Sequence, residues 1–119
     1  MAGLTKKSFD APESTVGFPK GVMELVMVGD AEVWRLVFEP GWHFAASMRQ
    51  IDLDEVCDDP HVILTVSGRL AIRMADGTEK EFGPGEVSVI PAGHDAWVVG
   101  DEPFVGFDVQ DAVFGKAAA

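Results

Sequence analysis

The chain has 119 residues, 47% of them apolar and 24% charged, which fits one globular domain and excludes a disordered or collagenous chain. Nine basic and twenty acidic residues give a net charge of −11, which disfavours nucleic acid and anionic membranes as partners. Cys57 is the single cysteine and so excludes an intrachain disulfide, and no apolar run reaches the length of a membrane span. A cytoplasmic protein is therefore expected.

Short alternating or β-branched segments, each closed by Gly, Pro or Asp, predict an all-β chain. Residues 1–20 are expected to form a polar arm with at most one strand, residues 21–112 a barrel, and residues 113–119 a tail. Nine short strands are typical of a sandwich or barrel. They are predicted at residues 22–28, 33–39, 43–49, 61–67, 70–75, 79–82, 86–90, 96–99 and 104–109.

The turns between these strands are marked by glycine and proline. Asp76-Gly77 lies between two strand-like segments and predicts a two-residue type I′ hairpin, because both residues tolerate a positive φ. Two other segments, 83–85 and 91–93, combine Pro with Gly and indicate corners, since proline cannot donate to a strand ladder.

The second of these corners carries a recognisable spacing. Gly85 is followed after five residues by Pro91, then by one residue and Gly93. This frame resembles the second motif of the cupin family, in which a metal-binding histidine comes three residues after the last glycine. Ala96 stands at that position here.

The first cupin motif is also recognisable, with its ligand positions changed. The family has a His-x-His pair six residues after the glycine of Pro40-Gly41, where this chain has Ser47 and Arg49. The family's glutamate, seven residues ahead of a glycine, is replaced by His61. The resemblance extends from about residue 24 to residue 109 and implies a double-stranded β-helix, or jelly-roll, barrel. It also implies a homodimer that uses the N-terminal arm.

In such a barrel, the inward-pointing side chains form a pocket. His43, Ser47 and Arg49 would share one face, and His61 would lie on another. His61 is the candidate general base, and Arg49 the candidate cation that holds a carboxylate or enolate oxygen. Next to Asp95, His94 forms either a polarised pair or an exposed turn. The candidate ligand-binding residues are His43, Ser47, Trp42, Met48, Met74, His94 and Trp97.

The replaced ligand positions lead to three functional hypotheses. The first is a small-molecule-binding module or ligand sensor that has lost the usual metal ligands and needs no cofactor. The second is a lyase, isomerase or cyclase that uses His61 as its base, with or without a divalent metal. The third is a metal-dependent dioxygenase in which His43, His61 and His94 hold iron, manganese, nickel or zinc.

Overall fold

In the computed structural model, residues 3–45 and 60–111 are described, and they form two antiparallel sheets. The larger sheet has the strand order β1-β2-β3-β9-β4-β7, and the smaller has the order β6-β5-β8. No helix in these ranges is long and apolar enough to cross a membrane. The strands are β1 (Ser14–Phe18), β2 (Gly21–Val28), β3 (Ala31–Phe38), β4 (His61–Ser67), β5 (Arg69–Met74), β6 (Glu79–Phe82), β7 (Val87–Ile90), β8 (His94–Val99) and β9 (Phe104–Asp111).

The predicted all-β class is confirmed, and the predicted strands at 61–67 and 79–82 match β4 and β6. The predicted strand at 43–49 does not appear as such in its described part, where His43 forms only an isolated bridge with Trp97. Residues 46–49 lie outside the described residues. The arm contributes β1, which pairs with β2 and becomes an edge of the larger sheet.

The two sheets enclose an apolar core built from the described residues. We call the side of each sheet that faces this core its inner face. Side chains alternate along β4, so that Ile63 and Thr65 are buried on the inner face and Leu64 and Val66 are exposed on the outer face. The buried core cluster consists of Leu36, Phe38, Trp42, Ile63, Leu70, Ile72, Ile90, Ala96, Val98 and Phe104.

Aromatic rings fill one part of the core. The Phe38 ring stacks on Trp42, with centroids 4.1 Å apart, and on Phe104, with centroids 5.8 Å apart. Phe104 is fully buried and Trp42 is 3% exposed. Burial of such rings contributes about 1.5–3 kcal/mol each relative to leaving them in water, so this cluster is a main source of stability.

The hairpin between β5 and β6 differs from its sequence prediction. Gly77 has a φ of 91°, whereas Asp76 does not have a positive φ, so the turn is not type I′. Met74 and Thr78 close a three-residue loop, in which the amide of Gly77 donates to the carbonyl of Met74 at 3.0 Å. The Asp76 carboxylate accepts the Thr78 amide at 2.8 Å, which lowers the pKa of Asp76. One left-handed glycine therefore suffices for this turn.

Gly68 joins β4 to β5 with a φ of 75°. A Cβ at this position would lie 2.2 Å from the carbonyl oxygen of Pro103 and 2.7 Å from the Cα of Phe104. Both neighbours are backbone atoms at the start of β9, so they have little freedom to retreat. The close approach requires glycine here.

The N-terminal arm is fastened to the barrel within the same chain. Glu13 accepts a hydrogen bond from Lys7 Nζ at 2.5 Å and from the Met27 amide at 2.9 Å. These two contacts lower the pKa of Glu13, the Lys7 hydrogen bond most. Phe9 packs on Phe107, with ring centroids 5.5 Å apart. The arm therefore covers part of the outer face of the larger sheet.

Candidate functional site

A histidine and a carboxylate meet on the inner face of the larger sheet. His61 is the first residue of β4, and Asp108 lies on the neighbouring strand β9. His61 Nδ1 and Asp108 Oδ2 are 2.5 Å apart, and the Asp108 side chain is only 6% exposed. A buried carboxylate needs such a partner, because it has lost its water shell. We call His61 and Asp108 the inner pair.

The second carboxylate oxygen of the inner pair is held as well. Gln110 lies two residues further along β9 on the same face, and its Nε2 donates to Asp108 Oδ1 at 2.9 Å. The same amide nitrogen lies 3.4 Å from the carbonyl oxygen of Pro60, which immediately precedes β4. Because each oxygen of Asp108 has its own partner, the carboxylate is fixed in the orientation that meets His61.

His94 brings a second imidazole to the inner pair from the smaller sheet. The rings of His61 and His94 meet edge to face, with centroids 5.2 Å apart, and His94 is 4% exposed. His94 Nδ1 donates to the Pro91 carbonyl at 2.8 Å, so the lone pair of the neutral ring is on Nε2. We call His61, Asp108 and His94 the inner site.

The strand registers place apolar residues directly opposite each member of the inner site. Ile90 is opposite His61, Met74 is opposite His94, and Trp34 is opposite Asp108. Directly opposed residues share a face of the sheet, so these side chains form the walls next to the polar groups. The surroundings combine a few polar groups with apolar walls, as small-molecule sites do.

A cavity of about 540 Å³ is lined by Met74 and Pro91, the neighbours of His94, but by none of the three inner-site residues themselves. Phe82 and Lys80 of the edge strand β6 and Val89 of the edge strand β7 also line it, so the cavity occupies the seam between the two sheets. Its volume lies in the range of about 300–1,000 Å³ that is usual for small-molecule sites.

A second histidine–carboxylate pair lies on the outer face of the smaller sheet. His43 Nε2 and Asp95 Oδ2 are 2.6 Å apart, and the other oxygen of Asp95 accepts the amides of Ala45 at 3.0 Å and Ala96 at 2.8 Å. The His43 ring also packs against Trp97, with centroids 5.3 Å apart. We call His43 and Asp95 the outer pair.

Comparisons with known proteins bear on the fold. No family model and no curated protein matches this sequence. Among solved structures, a cupin-like protein from Thermotoga maritima is similar over 91% of this chain and 84% of its own, with 17% identity and a TM-score of 0.58. The chain has the cupin fold.

Two of the similar solved structures are enzymes. The polyketide cyclase RemF from Streptomyces resistomycificus is similar over 92% of this chain and 80% of its own, with 17% identity and a TM-score of 0.61. Oxalate decarboxylase from Lactobacillus farciminis is similar over 98% of this chain but only 36% of its own, with 13% identity and a TM-score of 0.63. At these identities the similarity establishes the fold.

The cupin barrel brings together only some of the residues selected from the sequence. His61 and His94 meet, and Met74 lies beside them. His43 and Trp97 lie on the outer face instead, because the two residues are directly opposite each other in an isolated bridge and the His43 ring binds Asp95. Trp42 lies in the aromatic core. Ser47, Met48 and Arg49 lie outside the described residues.

The structure also adds residues that the sequence analysis did not select. Asp108 and Gln110 follow Phe104 and Gly106 at alternate positions of β9, which places all four on the inner face. The sequence feature that could have identified Asp108 is a carboxylate at an inward-pointing position of a predicted strand. Asp95, which was considered as a partner of His94, binds His43.

The described residues do not fit a divalent metal ion. Residues 3–45 and 60–111 contain no group of three His, Cys, Asp or Glu side chains placed to hold one. His43 is bound to Asp95 on the outer face, so the three histidines do not converge. Within the described residues, the inner site places an oriented imidazole beside a second one.

Proposed function

We propose that this cupin binds a small molecule at the inner site and that His61 moves a proton on it, as in a lyase, isomerase or cyclase. The observation that carries the proposal is the 2.5 Å contact between His61 Nδ1 and the buried carboxylate of Asp108. A carboxylate that orients an imidazole is the arrangement that proton-transferring enzymes use to set the tautomer of a general base.

The inner pair determines which nitrogen of His61 is basic. Nδ1 carries the proton that it donates to Asp108 Oδ2, so Nε2 is the atom that accepts a proton from the substrate. When Nε2 is protonated, the ring becomes an imidazolium beside the Asp108 carboxylate. The negative charge stabilises this cation, so it lowers the barrier to removing a proton from carbon or oxygen.

The surroundings of the pair favour a neutral or cationic substrate. The opposed side chains are Trp34, Met74 and Ile90, and the chain carries a net charge of −11. A carbonyl compound with an acidic C–H bond meets these conditions, since its proton is removable by an imidazole. Arg49, which lies outside the described residues, remains the predicted partner of the enolate oxygen.

Similar structures support this class of reaction without specifying it. The neighbour RemF is a polyketide cyclase, and a cyclase is one of the kinds of enzyme proposed for this chain. The proposed step uses the imidazole of His61 and the carboxylate of Asp108.

Deuterium incorporation tests the proposal before any natural substrate is known. A panel of enolisable carbonyl compounds, from acetone to cyclic 1,3-diketones, is screened for thermal shift. The compounds that bind are then followed by proton NMR in D₂O. We expect the protein to accelerate loss of the α-proton signal and His61→Asn to abolish the acceleration.

The outer pair supplies the matched control for this experiment. His43→Asn removes the other carboxylate-bound imidazole and should leave exchange unchanged, because it lies on the opposite side of β8. Full acceleration by His61→Asn would contradict the role of His61.

Ligand binding without chemistry is the second candidate function. It is favoured by Ala96, a non-ligating residue that is 5% exposed in the core cluster and occupies a ligand position of the cupin motif. A compound that raises the melting temperature but shows no accelerated exchange would support this candidate over catalysis.

A further inference from the structure

A second carboxylate of the inner face lies on β3, beside the inner site. Glu32 is directly opposite Gln110 of β9, so the two side chains point to the same side of the sheet. The Glu32 Oε1 atom accepts a hydrogen bond from Trp34 Nε1 at 2.7 Å, and Trp34 is itself directly opposite Asp108. We call Glu32 and Trp34 the β3 wall.

The negative charge of the β3 wall has no positive partner within the described part of the chain. No lysine, arginine or histidine of that part forms an ion pair with Glu32. The amide nitrogen of the opposed Gln110 contacts Asp108 and the Pro60 carbonyl instead. Glu32 is only partly accessible to solvent, and a partly buried charge is stabilised by a partner of opposite sign. A cationic ligand would supply that partner.

The β3 wall combines two features that attract a substituted ammonium group. The Glu32 carboxylate attracts the positive charge directly, and the face of a tryptophan ring attracts it through the quadrupole of the ring. Trp34 is partly accessible, whereas Trp42 is 3% exposed in the core and so cannot receive a ligand. The net charge of −11 adds a field that draws cations toward the protein. An anionic ligand would be repelled at this wall.

The β3 wall is close enough to the inner pair for one small molecule to contact both. β9 lies between β3 and β4 in the larger sheet, so Glu32 and His61 are on the two strands that flank it. Neighbouring strands are about 4.8 Å apart, which places the two backbones roughly 10 Å from each other. Met27, directly opposite Glu32 on β2, is 46% exposed. This end of the inner face is therefore accessible.

We propose that the β3 wall binds a positively charged nitrogen, so that the ligand of the inner site is a carbonyl compound that carries a substituted ammonium group. The inference rests on the proposed function for the position of the carbonyl group beside His61, but the cation site itself depends only on Glu32 and Trp34. The positive charge also stabilises the enolate that forms when His61 Nε2 accepts the proton of the neighbouring C–H bond.

Two ketones of the same shape test the inference. The 1,1-dimethyl-4-oxopiperidinium ion carries a permanent positive charge, and 4,4-dimethylcyclohexanone has carbon in place of the charged nitrogen. Ligand-observed NMR measures the dissociation constant of each ketone, whether or not a reaction occurs. We expect the wild-type protein to bind the cation about 10-fold more tightly than the neutral ketone.

Glu32→Gln and Asp30→Asn are the matched variants for this experiment. Each removes one negative charge, and Asp30 is exposed in the turn between β2 and β3, close to Glu32 in the sequence. Glutamine at position 32 keeps an oxygen that accepts from Trp34 Nε1. We expect Glu32→Gln to reduce the preference for the cation to about twofold or less without weakening binding of the neutral ketone. Asp30→Asn should retain the preference.

The same measurements define the results that would overturn the inference. These are equal binding of the two ketones by the wild-type protein, no binding of the cation, a preference that survives in Glu32→Gln, or an equal loss in Asp30→Asn. Deuterium exchange on the two ketones separates the inference from the proposed function. Exchange that depends on His61 but shows no preference for the cation would retain the proton transfer and overturn the cation site. A preference that depends on Glu32, without any exchange, would support the cation site and contradict the proton transfer.

Discussion

The inner and outer pairs contain the same two residue types at almost the same distance, 2.5 Å and 2.6 Å, yet they differ in what surrounds them. Asp108 is 6% exposed and its second oxygen is held by a side chain, Gln110. Asp95 is 24% exposed and its second oxygen is held by two backbone amides. The contacts of the inner pair thus orient an imidazole, whereas the contacts of the outer pair connect the segment that contains His43 and Ala45 to β8.

Two consecutive residues of β8 contribute to different sites. His94 and Asp95 follow each other on β8, and successive side chains of a strand point to opposite faces. His94 therefore joins the inner site while Asp95 joins the outer pair. Variants of each pair should affect different measurements. Three predictions test this division, and a fourth concerns a carboxylate outside it.

The largest effect is expected from Asp108→Asn. The amide keeps the size of the side chain but carries no charge to stabilise the imidazolium of His61, and it can donate to Nδ1 and so select the wrong tautomer. We expect proton exchange on a bound carbonyl compound to slow by about 10²–10⁴-fold, measured by NMR in D₂O. Asp95→Asn should leave that rate unchanged. An equal loss in both variants would show that the division between the pairs is wrong.

Asp95→Ala should instead reduce stability. It leaves the amides of Ala45 and Ala96 without their carboxylate acceptor, and an unsatisfied backbone group costs about 1–3 kcal/mol. Urea unfolding should report a loss of that size. The matched variant His43→Ala removes only a partly exposed contact between an imidazole and a carboxylate, for which about 0.2–1 kcal/mol is expected. If His43→Ala costs as much as Asp95→Ala, the histidine rather than the backbone contacts stabilises this corner.

Gln110→Leu tests whether Asp108 must be held in position by a neighbouring side chain. It removes the hydrogen bond to Asp108 Oδ1 but leaves Oδ2 in contact with His61, so the base is present but less well held. One such hydrogen bond contributes about 0.5–1.5 kcal/mol, which corresponds to a roughly 2–10-fold slower exchange. Gln110→Glu should restore size but not rate, because a second carboxylate would repel Asp108. Wild-type exchange in Gln110→Leu would mean that Asp108 needs no positioning.

The smallest effect concerns a carboxylate that belongs to neither pair. The Lys7 side chain and the Met27 amide stabilise ionised Glu13, so its pKa in the folded chain lies below the ordinary value of 4.5. The stabilisation is present above that value and is lost as the pH falls through the lowered pKa. The protection factor of the Met27 amide, which is its exchange rate relative to that of an unstructured amide at the same pH, should therefore fall in acid. In Glu13→Gln this part of the pH dependence should be absent, and its persistence would assign the effect to another group.

Much of the fold could be predicted from local patterns in the sequence. Alternation gave the bounds of β4 and β6, and the spacing of Gly85, Pro91 and Gly93 indicated the cupin barrel that the similar structures support. These features depend on backbone geometry and on burial of apolar side chains. Both are visible in the sequence as patterns among residues that are close together in the chain. The turn at Gly77 was assigned the wrong type because the dipeptide Asp-Gly suits more than one hairpin.

The candidate site was less predictable because it depends on which face a side chain occupies. Trp42 and Phe44 are apolar at alternate positions and pack toward the core, which places His43 on the other side. The cupin motif nevertheless led to the expectation of an inward His43. His61 was identified from the motif, but its partner Asp108 is 47 residues away in the sequence, and only the register between β4 and β9 brings the two together.

Gly68 limits the amino-acid substitutions that this barrel can accept. Every larger residue there meets the backbone of Pro103 and Phe104 within 3 Å, whereas Ala96 and His61 lie within regular strands at positions where the cupin motif has metal ligands. In a randomised library selected for folding alone, position 68 should return almost exclusively glycine. Positions 64 and 89, whose side chains are exposed on the outer face, should accept many residues. One backbone contact therefore restricts the sequence at position 68 more tightly than exposure restricts it on the outer face.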